Sequence, residues 1–367
     1  MTAIPRIVVA APASGSGKTT VATGLMAALR SRGLTVSAHK VGPDFIDPTY
    51  HSLATGRPGR NLDAFLCAQE LIAPLFLHGA RGADIAVIEG VMGLYDGVRG
   101  TDVASTAHVA KLLDAPVLLV VDARSMSGSV AAMVHGFRDF DRGVRVAGVL
   151  LNRVGSPTHE SMLRESLAPL GIPVVGALYR NDGLTVPARH LGLVPAVEND
   201  SARGQLQRLG LAVGSSCELD AVVEIARTAP ALSDVPWDPA AVVREPVTGR
   251  PTVAVAMRSG FGFAYAEHLE LLTAAGADVE VVDLTEPAAL GRHVGALYLP
   301  GGFPEVFAAA LSETAAARES VAAFAAAGGP VLAECGGMLY LLRQLDGRPM
   351  AGAVDAAAEM TTRLAMG

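Results

Sequence analysis

Short continuous apolar runs alternate, over the amino-terminal part of the chain, with segments whose apolar residues recur at helical spacing. The runs at 7–11, 35–39, 84–89, 117–121, 146–151 and 174–178 predict strands buried on both faces, and 21–29 predicts a helix soon after the first of them. Such an alternation predicts an α/β fold with a mainly parallel sheet covered on both sides. A second α/β run begins at Thr252, with strands expected at 253–257, 279–283, 296–299 and 331–334. Between Thr228 and Pro251 the periodicity lapses, and Pro230, Pro236, Pro239 and Pro246 punctuate a predicted linker. The expected organisation is residues 1–228, a connection at 229–250, and residues 251–367.

Composition agrees with two domains, because 367 residues allow each half a core of its own. Hydrophobic residues make up 50% of the chain and the mean hydropathy is +0.38, yet Ala and Gly supply much of this. No apolar run approaches bilayer-spanning length, and the amino terminus does not read as a secretory signal. The expectation is a cytoplasmic protein without a membrane partner. A net charge of −7 without a basic run gives no electrostatic footprint for nucleic acid. Three widely spaced cysteines, Cys67, Cys217 and Cys335, argue against a disulfide framework and a zinc site, so any reactive cysteine acts alone.

Chemistry enters with Ala10-Ala11-Pro12-Ala13-Ser14-Gly15-Ser16-Gly17-Lys18-Thr19-Thr20, between the first strand and the first helix. This is the pattern of a phosphate loop and predicts a P-loop NTPase domain that binds ATP. Backbone N–H groups from Ser14 to Thr20 would surround phosphate, Lys18 would reach the terminal phosphates, and the Thr19 hydroxyl would hold Mg²⁺. The fit is imperfect, since the first glycine of the usual spacing falls at Pro12, or at Ala11 if one more residue is allowed.

In a parallel sheet, ligands collect beyond the carboxyl ends of the strands. Polar residues fall there. The second strand leads into His39-Lys40-Val41-Gly42-Pro43-Asp44-Phe45-Ile46-Asp47-Pro48-Thr49-Tyr50-His51, then Arg60-Asn61-Leu62-Asp63; the next leads into Glu89-Gly90-Val91-Met92-Gly93-Leu94-Tyr95-Asp96-Gly97. Carboxylates beside a phosphate loop repel ATP unless a divalent cation lies between, which points to Mg²⁺ and to Glu89 as its first candidate ligand. Turn and cap roles are the plain alternative for each acidic residue. Asn152, ending a later strand, is a candidate for an adenine edge or a turn. In 187–193, Arg189 and His190 suit an anionic ligand or a surface ion pair equally.

In the second run, Pro300-Gly301-Gly302-Phe303-Pro304-Glu305 has glycines that free backbone N–H groups to face a ligand. The segment Ala333-Glu334-Cys335-Gly336-Gly337-Met338 puts a cysteine between a strand end and a helix start, where the helix terminus favours the thiolate. Cys335 therefore reads as a nucleophile, whereas Cys67 and Cys217 read as packing residues.

Taken together, the 14–19 loop, Lys40-Val41-Gly42-Pro43-Asp44-Phe45-Ile46-Asp47-Pro48, Glu89-Gly90 with Asp96, Gly301-Gly302-Phe303-Pro304-Glu305 and Glu334-Cys335-Gly336-Gly337 resemble the cobyrinic or hydrogenobyrinic acid a,c-diamide synthases. The resemblance runs through essentially the whole chain. It implies a first domain similar to dethiobiotin synthetase and a second of the class I glutamine amidotransferase type. It also implies a ligase that uses ATP and Mg²⁺ to phosphorylate corrinoid side-chain carboxylates and ammonia from glutamine to displace the phosphate, in cobalamin biosynthesis. Under it, Lys18 and Thr19 serve phosphate and metal, and Asp44, Asp47, Glu89 and Asp96 serve metal and activation. Asp63 matches a metal-binding aspartate, Lys40 offsets acyl-phosphate charge, and Cys335 attacks glutamine, with N–H groups near Gly302 and Gly336 as the oxyanion hole. Corrinoid, ATP and glutamine are the implied partners, and a homodimer is compatible with them.

Members of that family continue to a histidine that activates the cysteine, whereas the last histidine here is His293, upstream of Cys335. The expectation is a carboxyl-terminally shortened amidotransferase domain. The alternative function is that of P-loop ATPases that position other proteins, with the second domain as a binding module. Those ATPases usually carry a further lysine near the start of the loop, where this chain has Ala10-Ala11-Pro12-Ala13.

Overall fold

The computed structural model describes residues 3–180 and 201–361, and between them the backbone of 188–189 and 192–193. Pro187, His190 and Leu191 of the expected anion-facing loop lie outside the described residues, as does the Arg189 side chain. The chain divides into two compact units, Met1–Trp237 and Asp238–Gly367.

The first unit runs β1 (Arg6–Ala10), α1 (Lys18–Ser31), β2 (Val36–Val41), α2 (Asp47–Thr55), β3 (Arg60–Leu62), α3 (Ile72–Gly79), β4 (Ile85–Glu89), α4 (Thr106–Leu112), β5 (Val117–Asp122), α5 (Ser129–Asp139), β6 (Val146–Val154), α6 (Pro157–Leu167), β7 (Val174–Tyr179), β8 (Ala188–Arg189), β9 (Gly192–Leu193), α7 (Ala202–Ser216) and α8 (Leu219–Arg227). Strands β1 to β7 form one parallel sheet in the order β3-β2-β4-β1-β5-β6-β7. Central β1 is apolar after Arg6 and wholly buried, each large side chain contributing about 1.5–3 kcal/mol on burial. Because consecutive strands step first to one side of β1 and then to the other, the ends of β1, β2 and β4 open onto one crevice, where such sheets bind ligands. Strand β3 is short, contains two polar residues and has no run to announce it; it forms because β2 offers it a parallel edge, with Lys40 opposite Asn61.

The division between units falls inside the proline-rich stretch. Its first part packs on the first unit: Arg6, wholly buried, donates to Pro230 O (2.7 Å), Leu232 enters the core, and Trp237 donates from its backbone to Pro74 O (2.9 Å) while its ring meets His78 edge-on.

The second unit contains α9 (Pro239–Val242), β10 (Thr252–Ala256), α10 (Ala266–Ala274), β11 (Asp278–Val282), β12 (Val294–Leu299), α11 (Ala308–Glu313), α12 (Ala315–Ala326), β13 (Val331–Ala333), α13 (Gly336–Leu341), β14 (Leu342–Leu345), β15 (Arg348–Pro349) and β16 (Val354–Ala358). Strands β11-β10-β12-β13 make a parallel sheet, and β15-β14-β16 a small mixed one not expected from the sequence. Its core gathers Phe261, Leu297, Leu299, Val321 and Tyr340.

Candidate active site

The phosphate loop joins β1 to α1, whose first residue is Lys18. Gly17 sits at φ 95°, in left-handed space, and a Cβ there would come within 2.2 Å of Asn152 Nδ2, so only glycine suits it. The loop is braced from the ends of neighbouring strands. Asn152 donates from Nδ2 to Ser16 O (2.9 Å), Arg153 donates to Gly15 O (2.8 Å), and Asp122 at the end of β5 holds Arg153 at 2.6 Å. Ser16 turns its own hydroxyl onto Ala13 O, while Ser14 and Gly15 are exposed and Thr20 is half-buried. Asn152 Oδ1 accepts the Arg153 N–H, so one donor of the amide serves the loop and one lone pair its own neighbour. Neither Arg153 nor Asp122 was singled out from the sequence; a charged residue at a strand end beside the loop was the available signal.

Strand register assembles the next layer. Lys40 on β2 and Glu89 on β4 are directly paired positions, and Val9 on β1 flanks Glu89 on its other side. The Lys40 ammonium lies 2.6 Å from Asp47 Oδ2 and 2.9 Å from Glu89 Oε1, and also donates to Gly90 O. The Thr19 hydroxyl donates to Glu89 Oε1 and stands 3.4 Å from Asp47 Oδ2. On the other carboxylate oxygen, His51 Nε2 lies 2.7 Å from Glu89 Oε2. Lys40, Asp47, Glu89 and His51 are all buried, the last two completely. Sequence reasoning gave His51 no role; its spacing of four from Asp47 in α2, which puts both on one helix face, was the signal.

Burial pushes the Glu89 carboxyl up, but Lys40 and His51 outweigh it and hold the group well below the usual carboxylate range. Burial and then the Glu89 charge push Asp47 well above its ordinary value. Burial works against the charge on Lys40, and Glu89 and Asp47 more than restore it, so the ammonium is held more firmly than usual. Lys18 is lowered, first by burial and then by Lys40. Lys40 is the ammonium in direct ion pairs with both carboxylates, with Lys18 acting on them from further off, so two anions share one directly bound ammonium. Thr19 Oγ1, Asp47 Oδ2 and Glu89 Oε1 are hard oxygens gathered around that deficit, the donor set Mg²⁺ accepts when phosphates and water complete its shell. Consistently, no three His, Cys, Asp or Glu side chains among the described residues form a cage for a metal by themselves.

The remaining predicted carboxylates make their hydrogen bonds locally, although the charges of Asp44 and Asp96 still act on Asp47 and Lys18. Asp44 Oδ1 accepts the N–H groups of Ile46 and Asp47 (2.7 and 3.3 Å), closing the turn that leads into α2. Asp63 Oδ1 accepts from Phe65 and Leu66 (2.8 and 3.0 Å), and none of its hydrogen bonds reaches the cluster. Asp96 closes a turn onto the Gly93 N–H (2.8 Å), in a loop tied to the phosphate loop by Leu94 N–H to Ala11 O.

In the second unit, Cys335 occupies the turn between β13 and α13 at φ 48°, ψ −110°, a conformation non-glycine residues rarely hold and which costs about 1–3 kcal/mol. The turn is tight because a Cβ at Gly337 would stand 2.0 Å from Leu299 O. Cys335 is exposed, and its Cβ is 3.4 Å from where a side chain on Gly301 would begin, which brings the two glycine-bearing loops together. Beside it, His268 Nδ1 meets Tyr298 Oη at 3.2 Å, and Tyr298 donates to Glu334 (2.9 Å), while His293 is turned to Glu280 on the surface. Cys217 packs as expected, its thiol pushed up to about 12 by burial. Cys67 does not: it is exposed, because the turn held by Asp63 carries it outward.

A parallel-sheet phosphate-loop unit followed by a unit with a cysteine elbow defines a nucleotide-dependent amidotransferase class. Residues 7–194 match the CobQ/CobB/MinD/ParA nucleotide binding domain, and residues 252–366 match the CobB/CobQ-like glutamine amidotransferase domain. The chain is 54% identical, over its full length and 82% of the relative's, to a hydrogenobyrinate a,c-diamide synthase of Streptomyces coelicolor. It is 52% identical to that of Thermobifida fusca, over 99% of this chain and 79% of the other, and 40% identical to a cobyrinate a,c-diamide synthase of a Synechococcus strain, over 98% and 80%. The protein belongs to the cobyrinate and hydrogenobyrinate a,c-diamide synthase family. Among the described residues no helix is long and apolar enough to cross a membrane.

Proposed function

We propose that the protein amidates the a- and c-side-chain carboxylates of a corrinoid, spending ATP at the first unit and glutamine at the second. The observation that carries this reading is the buried cluster of Lys40, Asp47, Glu89 and Thr19 set against a phosphate loop. A substrate carboxylate oxygen attacks the γ-phosphorus, ADP leaves, ammonia attacks the acyl carbon, and inorganic phosphate departs. Lys18 and the loop N–H groups bind the phosphates, Lys40 offsets charge on the acyl phosphate, and Asn152 has a remaining donor and lone pair for adenine. Thr19, Asp47 and Glu89 would hold Mg²⁺, which when bound neutralises charge on the phosphates. Cys335 attacks the glutamine amide to release ammonia, with N–H groups near Gly302 and Gly336 facing the oxyanion. Asp44 and Asp96 support activation through the loops they close, and Asp63 through the 63–67 turn.

The greater identity to relatives named for hydrogenobyrinate, 52–54% against 40%, favours the cobalt-free substrate. The reading also implies a cytoplasmic enzyme with no nucleic-acid or membrane partner, and a homodimer as the assembly to examine by light scattering. ATP turnover with hydrogenobyrinic or cobyrinic acid plus ammonium, followed by product mass, tests it. Two successive losses of one mass unit, each matched to one ADP, are expected. Nucleotide-dependent self-association with no acyl acceptor consumed would overturn it in favour of a positioning ATPase.

A further inference from the structure

We infer that His51 is a positioning residue for carboxylate activation, fixing Glu89 by one hydrogen bond so that the other carboxylate oxygen stays turned to Thr19 and Lys40. This rests on the proposed role of the cluster but adds a residue that role does not require.

A glutamate carboxylate turns about a broad terminal torsion, so burial alone does not decide which oxygen faces which partner. Here both oxygens are assigned. Oε1 takes Thr19 and Lys40, while Oε2 takes His51 Nε2 at 2.7 Å. A carboxylate oxygen accepts, so at this distance the Nε2–H is the donor. The other ring nitrogen, Nδ1, is buried and has no hydrogen-bond partner among the described residues. An unpartnered polar nitrogen in a fully buried ring is a cost, so a residue retained for packing alone would be better apolar. What the imidazole supplies in return is a donor at the Nε2 position. The base of the side chain is closely covered: a Cβ at Gly59 would lie 2.4 Å from Pro48 O and 3.1 Å from His51 Cβ. Helix α2 therefore delivers Asp47 and His51 from one face, one as a partner for cations and the other as a strut behind the facing carboxylate.

The geometry makes a chemical distinction testable. A glutamine amide nitrogen falls near the position of imidazole Nε2, whereas an asparagine nitrogen falls near Nδ1, short of Glu89. The experiment measures ATP affinity by calorimetry in the full chain without corrinoid while titrating Mg²⁺, together with kcat and KM for ammonia-dependent amidation and the ligand-free Tm. His51→Asn should raise the half-saturating Mg²⁺ concentration about tenfold or more, and His51→Gln should stay within about threefold of the parent, in line with the effect of residues that orient metal ligands. In a Glu89→Gln background, His51→Gln and His51→Asn should match each other, because nothing remains to orient. Equal Mg²⁺ dependence of the two single variants, or an undiminished His51 effect in the Glu89→Gln background, would overturn the inference. If His51→Asn does not fold, the Gln variant decides alone: half-saturating Mg²⁺ within about threefold of the parent supports the inference, and a rise of about tenfold despite a parental Tm overturns it. An unchanged Mg²⁺ titration in Glu89→Gln itself would instead sink the proposed metal role, a separate failure.

Discussion

The two reactive regions hold their chemistry in opposite ways. At the phosphate-loop unit the groups are buried and each restrains another: Lys40 between Asp47 and Glu89, Thr19 and His51 on either oxygen of Glu89, Arg153 and Asn152 behind the loop. At the second unit the proposed nucleophile is exposed, and what is fixed is backbone, a strained φ at Cys335 wedged among glycines. The difference follows from the tasks. Stabilising a migrating phosphoryl group needs charges arranged in advance away from water. A thiolate that must meet an incoming amide needs access, and a strand-to-helix turn provides access at the cost of strain. Damage to the first region should therefore strike every amidation, and damage to the second only its nitrogen supply.

The largest effect expected is that of Cys335→Ser, which should abolish glutamine-supported amidation while leaving the ammonium-supported rate within about twofold, since no reacting group of the first unit is touched. Parallel loss with both donors would break the division of labour. Next come Glu89→Gln and Asp47→Asn, which should lower amidation by on the order of 10² to 10³ with either nitrogen source, as removing one preorganised charge partner does. Unchanged rates in saturating ammonium would remove both residues from activation. Arg153→Ala should be milder, raising KM for ATP several-fold with a smaller change in kcat, because it frees Gly15 O without touching a phosphate-facing N–H. A kcat effect exceeding the KM effect would place Arg153 in the chemistry instead.

The smallest is a pH effect on stability peculiar to the buried region. His39 is wholly buried beside β4, with Ser37 on one nitrogen, and burial lowers its pKa from 6.5 to about 3. The unfolded chain therefore takes up a proton that the folded one refuses. Stability from this group is complete above about pH 6.5 and is lost toward pH 3, at no more than about 1.4 kcal/mol per pH unit. Urea midpoints at pH 7 and pH 5 should differ less in His39→Gln than in the parent. An equal difference would assign the acid sensitivity to other groups.

Much of this was legible in one dimension, and particular residues show where legibility stopped. The central strands were readable to within a residue or two, because strands buried on both faces leave continuous apolar runs; β3, polar and three residues long, left none. The phosphate loop and the cysteine elbow were readable because each packs its chemistry into adjacent residues. Of the acidic residues at the strand ends, sequence reasoning put Glu89 first as a metal ligand, grouped Asp44, Asp47 and Asp96 with it, and matched Asp63 through the resemblance alone. The fold separates them: Asp47 and Glu89 enter one cluster, while Asp44, Asp63 and Asp96 spend carboxylate oxygens on local N–H groups. Turn-forming was the plain alternative for each; the strand-end position singled out Glu89, and nothing local distinguished Asp47 from Asp44, Asp63 and Asp96.

What the chain determined by itself was local: apolar periodicity set the strands and helices, and glycine spacing set the phosphate loop and the elbow, since both depend on neighbours in sequence. Which charged groups meet was decided only in three dimensions. Lys40 and Glu89 are 49 positions apart and become partners because β2 and β4 align in one register. His51 reaches the same carboxylate from a helix, and Asn152 and Arg153 reach the phosphate loop from more than a hundred residues away. Each of these contacts depends on burial and on strand order, properties of the assembled sheet that no stretch of sequence carries alone.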